Sequence, residues 1–155
     1  MIMDEPTADV ALLTPVPRAH LQSGLAVCAV HGRVTYGTDS GMVLSEFAHA
    51  VGADSTVDIL FYASEAPISG VPKATFRGRF VEYVGAKNGK APGMAATYRP
   101  LTTANDGAWQ SFYIVSDLRE LTEPIELTTL TKRNSKSKLK ANFIPIGPLV
   151  IETPF

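Results

Sequence analysis

Apolar and polar positions follow two different periods along the chain, which predicts a mixture of strands and helices. Val10–Val16 is almost continuously apolar, which predicts a buried first strand. Pro15 and Pro17 mark the end of this strand. Residues 17–32 follow with apolar positions at helical spacing, between an early proline and a final glycine. This pattern predicts a helix, although the segment LAVCAV at 25–30 also fits a strand. The next residues, RVTYG, look extended.

The clearest helical pattern covers residues 40–52, where Val43, Phe47 and Ala50 recur at helical spacing and Gly52 suits the end. After it the chain becomes mainly strand-like, with breaks at glycine, proline and asparagine or aspartate. A short helix is predicted after Pro124, over 127–133, and residues 87–107 form a long loop. The predicted later strands are 57–64, 73–85, 109–121 and 148–154.

Successive strands without helical crossovers tend to pair in antiparallel fashion, and closure of a sheet removes its exposed edges. The predicted fold is therefore α+β: a small, mostly antiparallel and partly closed β-barrel, flanked by two or three short helices. Residues 1–8 are acidic and lack apolar partners, which predicts a mobile N-terminal tail. Residues 9–155 are predicted to form a single domain.

Composition narrows the function classes. No apolar run reaches the roughly 18–20 residues that cross a bilayer, so no membrane association is expected. Cys28 is the only cysteine, which excludes an internal disulfide and favours the cytoplasm. It lies near His31, but one cysteine and scattered histidines do not make a zinc site, so neither metal nor cofactor is expected. A net charge of −1 provides no global basic field for nucleic acid.

The stretch ILFYASEAPISGV at 59–71 carries the first candidate chemistry. An apolar strand ends on the hydroxyls of Tyr62 and Ser64, and a loop with Pro67 and Gly70 follows directly. Such an ending is either an ordinary turn or the lip of a pocket, with the loop backbone supplying close approach.

Several motifs, taken in order, resemble those of the EVE domains of the PUA-like superfamily, which also contains YTH and ASCH domains. They are DILFYAS followed by ISGVPKATFRGRFVEY, then TYRP at 97–100, WQSFYIVSDLRELTEPIELTTL, and LKANF with GPLVIETP near the end. The resemblance covers 57–154 and implies that the predicted barrel is PUA-like. The first third of the chain departs from the family, because it has no clear opening strand with a tryptophan.

This resemblance implies a pocket that accepts one flipped base, often a modified one, from DNA or RNA. Reading a single base requires replacing its stacking by aromatic or apolar faces and pairing its polar edge. Tyr62, Ser64, Trp109 and Tyr113 are the expected pocket residues. The alternative is that Trp109, the only tryptophan, is a core anchor and that the tyrosines only pack.

Cations along the chain are candidates for contacts to the nucleic-acid backbone. Arg77 and Arg79 alternate with Phe76 and Phe80, so the two arginines are predicted to share one strand face. Arg99 lies in the TYRP motif, where it binds either a phosphate or an acid of the domain. The remaining candidates lie in the segment KRNSKSKLK, which is otherwise a solvated surface: Lys132, Arg133, Lys136 and Lys138.

The leading hypothesis is thus a non-enzymatic reader of a modified base. A second hypothesis is a small hydrolase of modified nucleosides, since ASCH relatives use a lysine, a threonine and a carboxylate. Lys73, Thr75 and Glu82 supply those residue types, but Glu82 faces away from Thr75 on a regular strand. A third hypothesis is a protein-interaction subunit without a ligand pocket, in a larger system. The sequence leaves open the base, DNA against RNA, and the oligomeric state.

Overall fold

One six-stranded mixed sheet organises the fold, which we describe from a computed structural model. The structure describes residues 8–51, 56–65, 72–104, 107–133, 135–139 and 147–155. The strands are β1 (Val10–Val16), β2 (Arg33–Thr38), β3 (Asp58–Ala63), β4 (Lys73–Gly85), β5 (Ser111–Glu126) and β6 (Leu149–Glu152). The helices are α1 (Arg18–His31), α2 (Gly41–Val51) and α3 (Met94–Thr97). Each predicted strand is thereby confirmed, with boundaries that differ by a few residues.

The strands lie in the order β2-β5-β4-β3-β1-β6. Strands β1 and β3 are parallel, because α1, β2 and α2 carry the chain back before β3 begins. The other neighbouring pairs of described strands are antiparallel, which confirms the predicted bias. The predicted α+β class is confirmed as well.

The sheet is open, so a barrel is not seen among the described strands. Strands β2 and β6 form its two edges and do not pair with each other. Both edges are instead covered by neighbouring segments: the Thr35 amide donates to the Tyr98 carbonyl at 2.9 Å, and the Arg133 amide donates to the Val150 carbonyl at 3.1 Å. These contacts satisfy edge groups that would otherwise invite pairing with other chains.

Contacts between side chains of distant strands indicate that the sheet nevertheless curves strongly toward its inner face. The hydroxyls of Thr14 on β1 and Tyr113 on β5 share a buried hydrogen bond of 3.4 Å, although β3 and β4 lie between these strands. The Tyr36 ring lies 5.6 Å from that of Phe61 and 6.1 Å from that of Tyr113. Aromatic pairs at such separations pack favourably in tilted arrangements.

Helices α1 and α2 cover this inner face. Leu21 and Cys28 of α1, and Leu44 and Phe47 of α2, belong to the same core cluster as the inner strand residues. Helix α1 ends where Gly32 adopts a φ of 76° and its amide donates to the Cys28 carbonyl at 2.7 Å. A left-handed residue of this kind favours glycine. The helix predicted for 17–32 is confirmed, and the alternative strand at 25–30 is wrong.

A second core cluster covers the outer face of the sheet. Leu13, Leu60 and Tyr62 pack there against Leu127 and residues of the segment that follows it. Because β3 is buried on both faces, its sequence is continuously apolar instead of alternating.

Two local predictions need correction. The helix expected over 127–133 is only a 3-10 turn at Leu127–Thr129, because β5 continues through Pro124 to Glu126. Proline is tolerated there because β2 pairs with β5 only as far as Ser116, so no described strand lies on that side of the later residues. The long loop at 87–107 also contains α3 and a 3-10 turn at Leu101–Thr103. The predicted helix end at Gly52 lies outside the described residues.

We predict that Gly24→Ala destabilises the fold, although alanine is the better helix former by roughly 1 kcal/mol. A Cβ at Gly24 would overlap the Tyr36 hydroxyl oxygen and lie 3.2 Å from Leu118 Cδ2. Overpacking of this kind costs about 1–3 kcal/mol, which urea unfolding would measure. Tyr36→Phe removes the obstructing oxygen, so Gly24→Ala should cost less in that background. A Gly24→Ala protein more stable than the original would contradict this account.

Candidate functional site

A cavity of about 540 Å³ opens beside the ends of β1, β2 and β3. This volume is within the ~300–1,000 Å³ that small-molecule sites occupy. Its walls combine apolar surface with hydroxyl, carboxylate, imidazole and guanidinium groups. The lining residues are Thr14, Pro15, Val16, Pro17, His20, Tyr36, Gly37, Thr38, Asp39, Ser40, Ser64, Arg99, Thr103, Trp109, Gly147 and Pro148.

Trp109 provides the only indole of the chain, and it lies directly against the backbone of Gly37. A Cβ built on Gly37 would be only 2.5–2.7 Å from three atoms of the indole ring. A glycine is therefore required for the ring to sit this close to β2. The indole is half-buried, so part of it stays accessible at the cavity.

Backbone hydrogen bonds hold the tryptophan segment on both sides. The Trp109 amide donates to the Gly89 carbonyl at 3.1 Å. The next amide, that of Gln110, donates to Asp39 Oδ1 at 3.2 Å. Asp39 follows β2 directly, so its carboxylate ties the start of β5 to the end of β2 and fixes where the indole lies.

Arg99 brings a positive charge to the cavity. Its Nη1 donates to the Thr35 carbonyl at 3.1 Å, and its guanidinium carbon lies 5.2 Å from the centroid of the Phe112 ring. A guanidinium has five N–H donors in a planar fork. The carbonyl and the ring hold this group in place, and Arg99 is one of the residues that line the cavity.

Helix α1 contributes His20 from its first turn. His20 Nδ1 lies 2.8 Å from Thr102 Oγ1, which joins α1 to the segment that carries Arg99 and Thr103. The Tyr36 hydroxyl donates to the His20 carbonyl at 3.0 Å. Burial raises the pKa of Tyr36 well above its usual range, so this hydroxyl stays protonated and remains a donor.

The end of β3 supplies Ser64, an exposed hydroxyl at the cavity. Its amide donates to the Val16 carbonyl at 3.2 Å. The neighbouring Glu65 carboxylate accepts from the Arg18 amide, at 3.0 Å and 3.3 Å for its two oxygens. A carboxylate at the start of a helix is favourably placed for the helix dipole. These bonds fasten the end of β3 to the β1–α1 junction.

Of the four residues expected in a base pocket, the structure brings Ser64 and Trp109 to this cavity. Tyr113 lies behind the wall, since its hydroxyl is bonded to the lining residue Thr14. Burial raises the pKa of Tyr113, so it too is neutral. Tyr62 lies in the outer core cluster and does not line the cavity. The loop at 67–70, expected to adjoin this site, lies outside the described residues.

The arginines of β4 occupy a different place. Phe76 and Phe80 belong to or pack against the inner core cluster, as their alternation predicts. Arg77 Nε is 2.7 Å from Asp58 Oδ1, and their side chains are only 12% and 0% exposed. The Arg77 guanidinium carbon also lies 3.4 Å from the centroid of the Phe155 ring. Arg77 and Arg79 do not line the cavity, whereas Arg99 does.

The C-terminal basic segment is partly neutralised by acids from elsewhere in the chain. Arg133 lies 3.4 Å from Asp9 and 4.0 Å from Glu152. Lys136 Nζ donates to Glu152 Oε1 at 2.8 Å, and Lys138 Nζ donates to the Thr129 carbonyl at 2.9 Å. Lys132 pairs through its backbone with Ser137 and Ile151. None of these four cations lines the cavity.

The hydrolase hypothesis finds no assembled site in the described residues. Lys73, Thr75 and Glu82 all lie on β4. At about 3.3 Å per residue, Thr75 and Glu82 are roughly 23 Å apart along an extended strand. None of the three lines the cavity.

Among the described residues, no cluster of three or more histidine, cysteine, aspartate or glutamate side chains is arranged to hold a metal ion. None of the described helices has the length and apolar character needed to cross a membrane.

Sequence reasoning missed the contribution of residues 37–40, the segment GTDS that ends β2 and leads toward α2. It provides the glycine beneath Trp109, the carboxylate of Asp39 and two hydroxyls. In that segment the Ser40 amide donates to Thr38 Oγ1 at 3.0 Å. A group of small polar residues between a strand and a helix was the available signal.

The chain matches no protein-family model and no curated protein sequence. The resemblance to EVE domains therefore stays a prediction.

We predict that Gly37→Ala displaces the indole of Trp109. The new methyl group would occupy space that the ring now fills, so the emission should shift to longer wavelength and acrylamide should quench it more strongly. The control is Gly85→Ala, because a Cβ at Gly85 meets nothing within 4 Å. Since Trp109 is the only tryptophan, the signal reports this position alone. Unchanged emission in Gly37→Ala would contradict the described packing.

A second prediction concerns Glu152, whose pKa is lowered chiefly by the hydrogen bond from Lys136. Because the folded pKa is below the unfolded value of 4.5, the pair stabilises the fold above that pH. This contribution is lost as the pH falls through the folded pKa. In an NMR titration, Lys136→Ala should raise the pKa of Glu152, and Lys138→Ala should leave it nearly unchanged. Equal effects of the two variants would contradict the assignment.

Proposed function

We propose that this chain is a PUA-like reader that binds one base of a nucleic acid, modified rather than standard, in the cavity beside Trp109. The observation that carries the proposal is the meeting of an indole face, a hydroxyl and a guanidinium in one cavity, at Trp109, Ser64 and Arg99. The strong curvature of the sheet supports a PUA-like architecture, in which barrel closure is part of the proposal. A cytoplasmic location, argued from the single cysteine, belongs to it as well.

The chemistry of the wall suits a planar heterocycle. Stacking on an indole compensates for the stacking that a base loses when it leaves its strand. Hydroxyls of Ser40 and Ser64 both donate and accept, the Asp39 carboxylate accepts, and Arg99 donates. Such a set matches the mixed donor and acceptor edge of a nucleobase. Pro15, Pro17 and Pro148 add apolar surface that suits a substituent such as a methyl group.

The proposal is for binding without turnover. The lysine, threonine and glutamate of the hydrolase hypothesis are spread along β4, away from this cavity. The described cavity wall offers no nucleophile paired with a base: His20 Nδ1 is engaged with Thr102, and Asp39 accepts from an amide. We therefore assign these groups to positioning and recognition.

The test is a titration with a panel of modified and unmodified nucleosides, followed by Trp109 emission and by calorimetry. One modified nucleoside should quench the emission saturably. Trp109→Ala should weaken its binding by about 1–3 kcal/mol, the usual worth of an aromatic stack. Ser64→Ala should weaken it by roughly 0.5–1.5 kcal/mol. Tyr62→Phe serves as the matched control, because Tyr62 lies in the outer cluster, and it should bind normally.

Contrary outcomes are distinct. If no nucleoside changes the emission or releases heat, the cavity is not a base pocket. That result would favour the hypothesis of a protein-interaction subunit. If a modified nucleoside is converted to a product, the hydrolase hypothesis replaces the reader. If Tyr62→Phe loses binding while Trp109→Ala retains it, the site lies elsewhere.

A further inference from the structure

The hairpin turn at residues 87–90 is hydrogen-bonded to the backbone of Trp109, which lines the cavity. Lys87 and Lys90 exchange both backbone hydrogen bonds, at 2.8 Å and 3.0 Å, around a loop of two residues. Asn88 and Gly89 have φ values of 54° and 77°. Both residues in the left-handed region make the tight turn that Asn-Gly favours. The turn is therefore a defined structural element within the long loop.

This turn is joined to the tryptophan segment. The Gly89 carbonyl accepts the Trp109 amide at 3.1 Å, and a Cβ at Gly89 would lie 2.5 Å from the Cβ of Ala108. Lys90 follows Gly89 directly and Lys87 precedes it by two residues, so both lysines lie within two residues of the carbonyl that accepts the Trp109 amide.

The two lysines present an unbalanced charge. Residues directly opposite each other in a hairpin project their side chains to the same side, so Lys87 and Lys90 repel. Both are exposed, and neither has an ion pair or side-chain hydrogen bond within the described part of the chain. An anion between them would relieve this repulsion.

Among the described residues, the acids near the cavity are engaged with other partners than this turn. Asp39 is bonded to the Gln110 amide, and Glu65 is bonded to the Arg18 amide. The C-terminal segment differs, because Arg133 and Lys136 there face Asp9 and Glu152. Of these two basic regions, only the turn has no acidic partner among the described residues, and it is also hydrogen-bonded to the Trp109 backbone.

We propose that Lys87 and Lys90 bind the phosphates of the nucleotides that flank the bound base. The inference rests on the proposed function, since it takes the cavity to hold a base of a longer strand. The nucleic-acid strand would then cross the Lys87–Lys90 turn. The cations of the C-terminal basic segment would serve the stability of the fold instead of contacting phosphates. Lysine ammonium groups suit this role, because phosphate contacts position a strand without reading its sequence.

The experiment measures binding of a fluorescent oligothymidylate of about twelve nucleotides, a length within common single-strand site sizes. The double variant Lys87→Ala/Lys90→Ala is compared with Lys136→Ala/Lys138→Ala over a range of salt concentrations. Each phosphate contact contributes about 0.7 to the slope of log K against log salt for single strands. Loss of both turn lysines should lower that slope by about 1.4, and the control pair should leave it unchanged.

The nucleoside panel is repeated on the same variants, so that the two proposals are separated. The turn variant should bind a free nucleoside as the original chain does, because a nucleoside has no phosphate. An unchanged salt slope in the turn variant would overturn the phosphate site while leaving the reader intact. No oligothymidylate binding by the original chain at low salt would also overturn it. A lower slope without any nucleoside binding would support the phosphate site and overturn the base pocket.

Discussion

The buried hydroxyl of Tyr36 is the interaction on which the other parts of the structure converge. Its ring packs against Phe61 and Tyr113, so it links strands β2, β3 and β5 across the inner face. Its hydroxyl group donates to the His20 carbonyl, which attaches α1 to the sheet. A buried phenol without a partner would be costly, so sheet curvature and helix position must be compatible at this one point. Gly24 allows α1 to approach closely enough for that bond to form.

The cavity is a consequence of the same arrangement. With α1 held over the curved sheet, the β1–α1 junction comes close to the end of β2, and the long segment before β5 closes the remaining side. Its walls come from strand ends and loops, while the interior of the sheet is filled by large side chains. Rigid elements thus position a site whose polar groups belong mostly to connections. Asp39 shows how this works, since one carboxylate fixes the entry of β5 and with it the indole.

Local patterns made most elements predictable, because alternation and helical spacing depend on neighbouring residues only. The site was predictable in part: Ser64, Arg99 and Trp109 were singled out by residue type and by their place beside turns. Pairings between distant residues were not predictable. The Arg77–Asp58 pair became evident only from the register of β3 and β4. Tyr62 shows a related limit, since a continuously apolar strand gives no sign of which face looks toward the cavity.

Strand β1 lies between β3 and β6, and this placement constrains the order in which the chain can be completed. Val10 pairs with Glu152, so one edge of β1 finds its partner only when β6 is in place. Until β6 pairs with it, the edge of β1 that faces away from β3 is uncovered. Such long-range closure slows folding, and the exposed strand edge is vulnerable to wrong partners in the meantime.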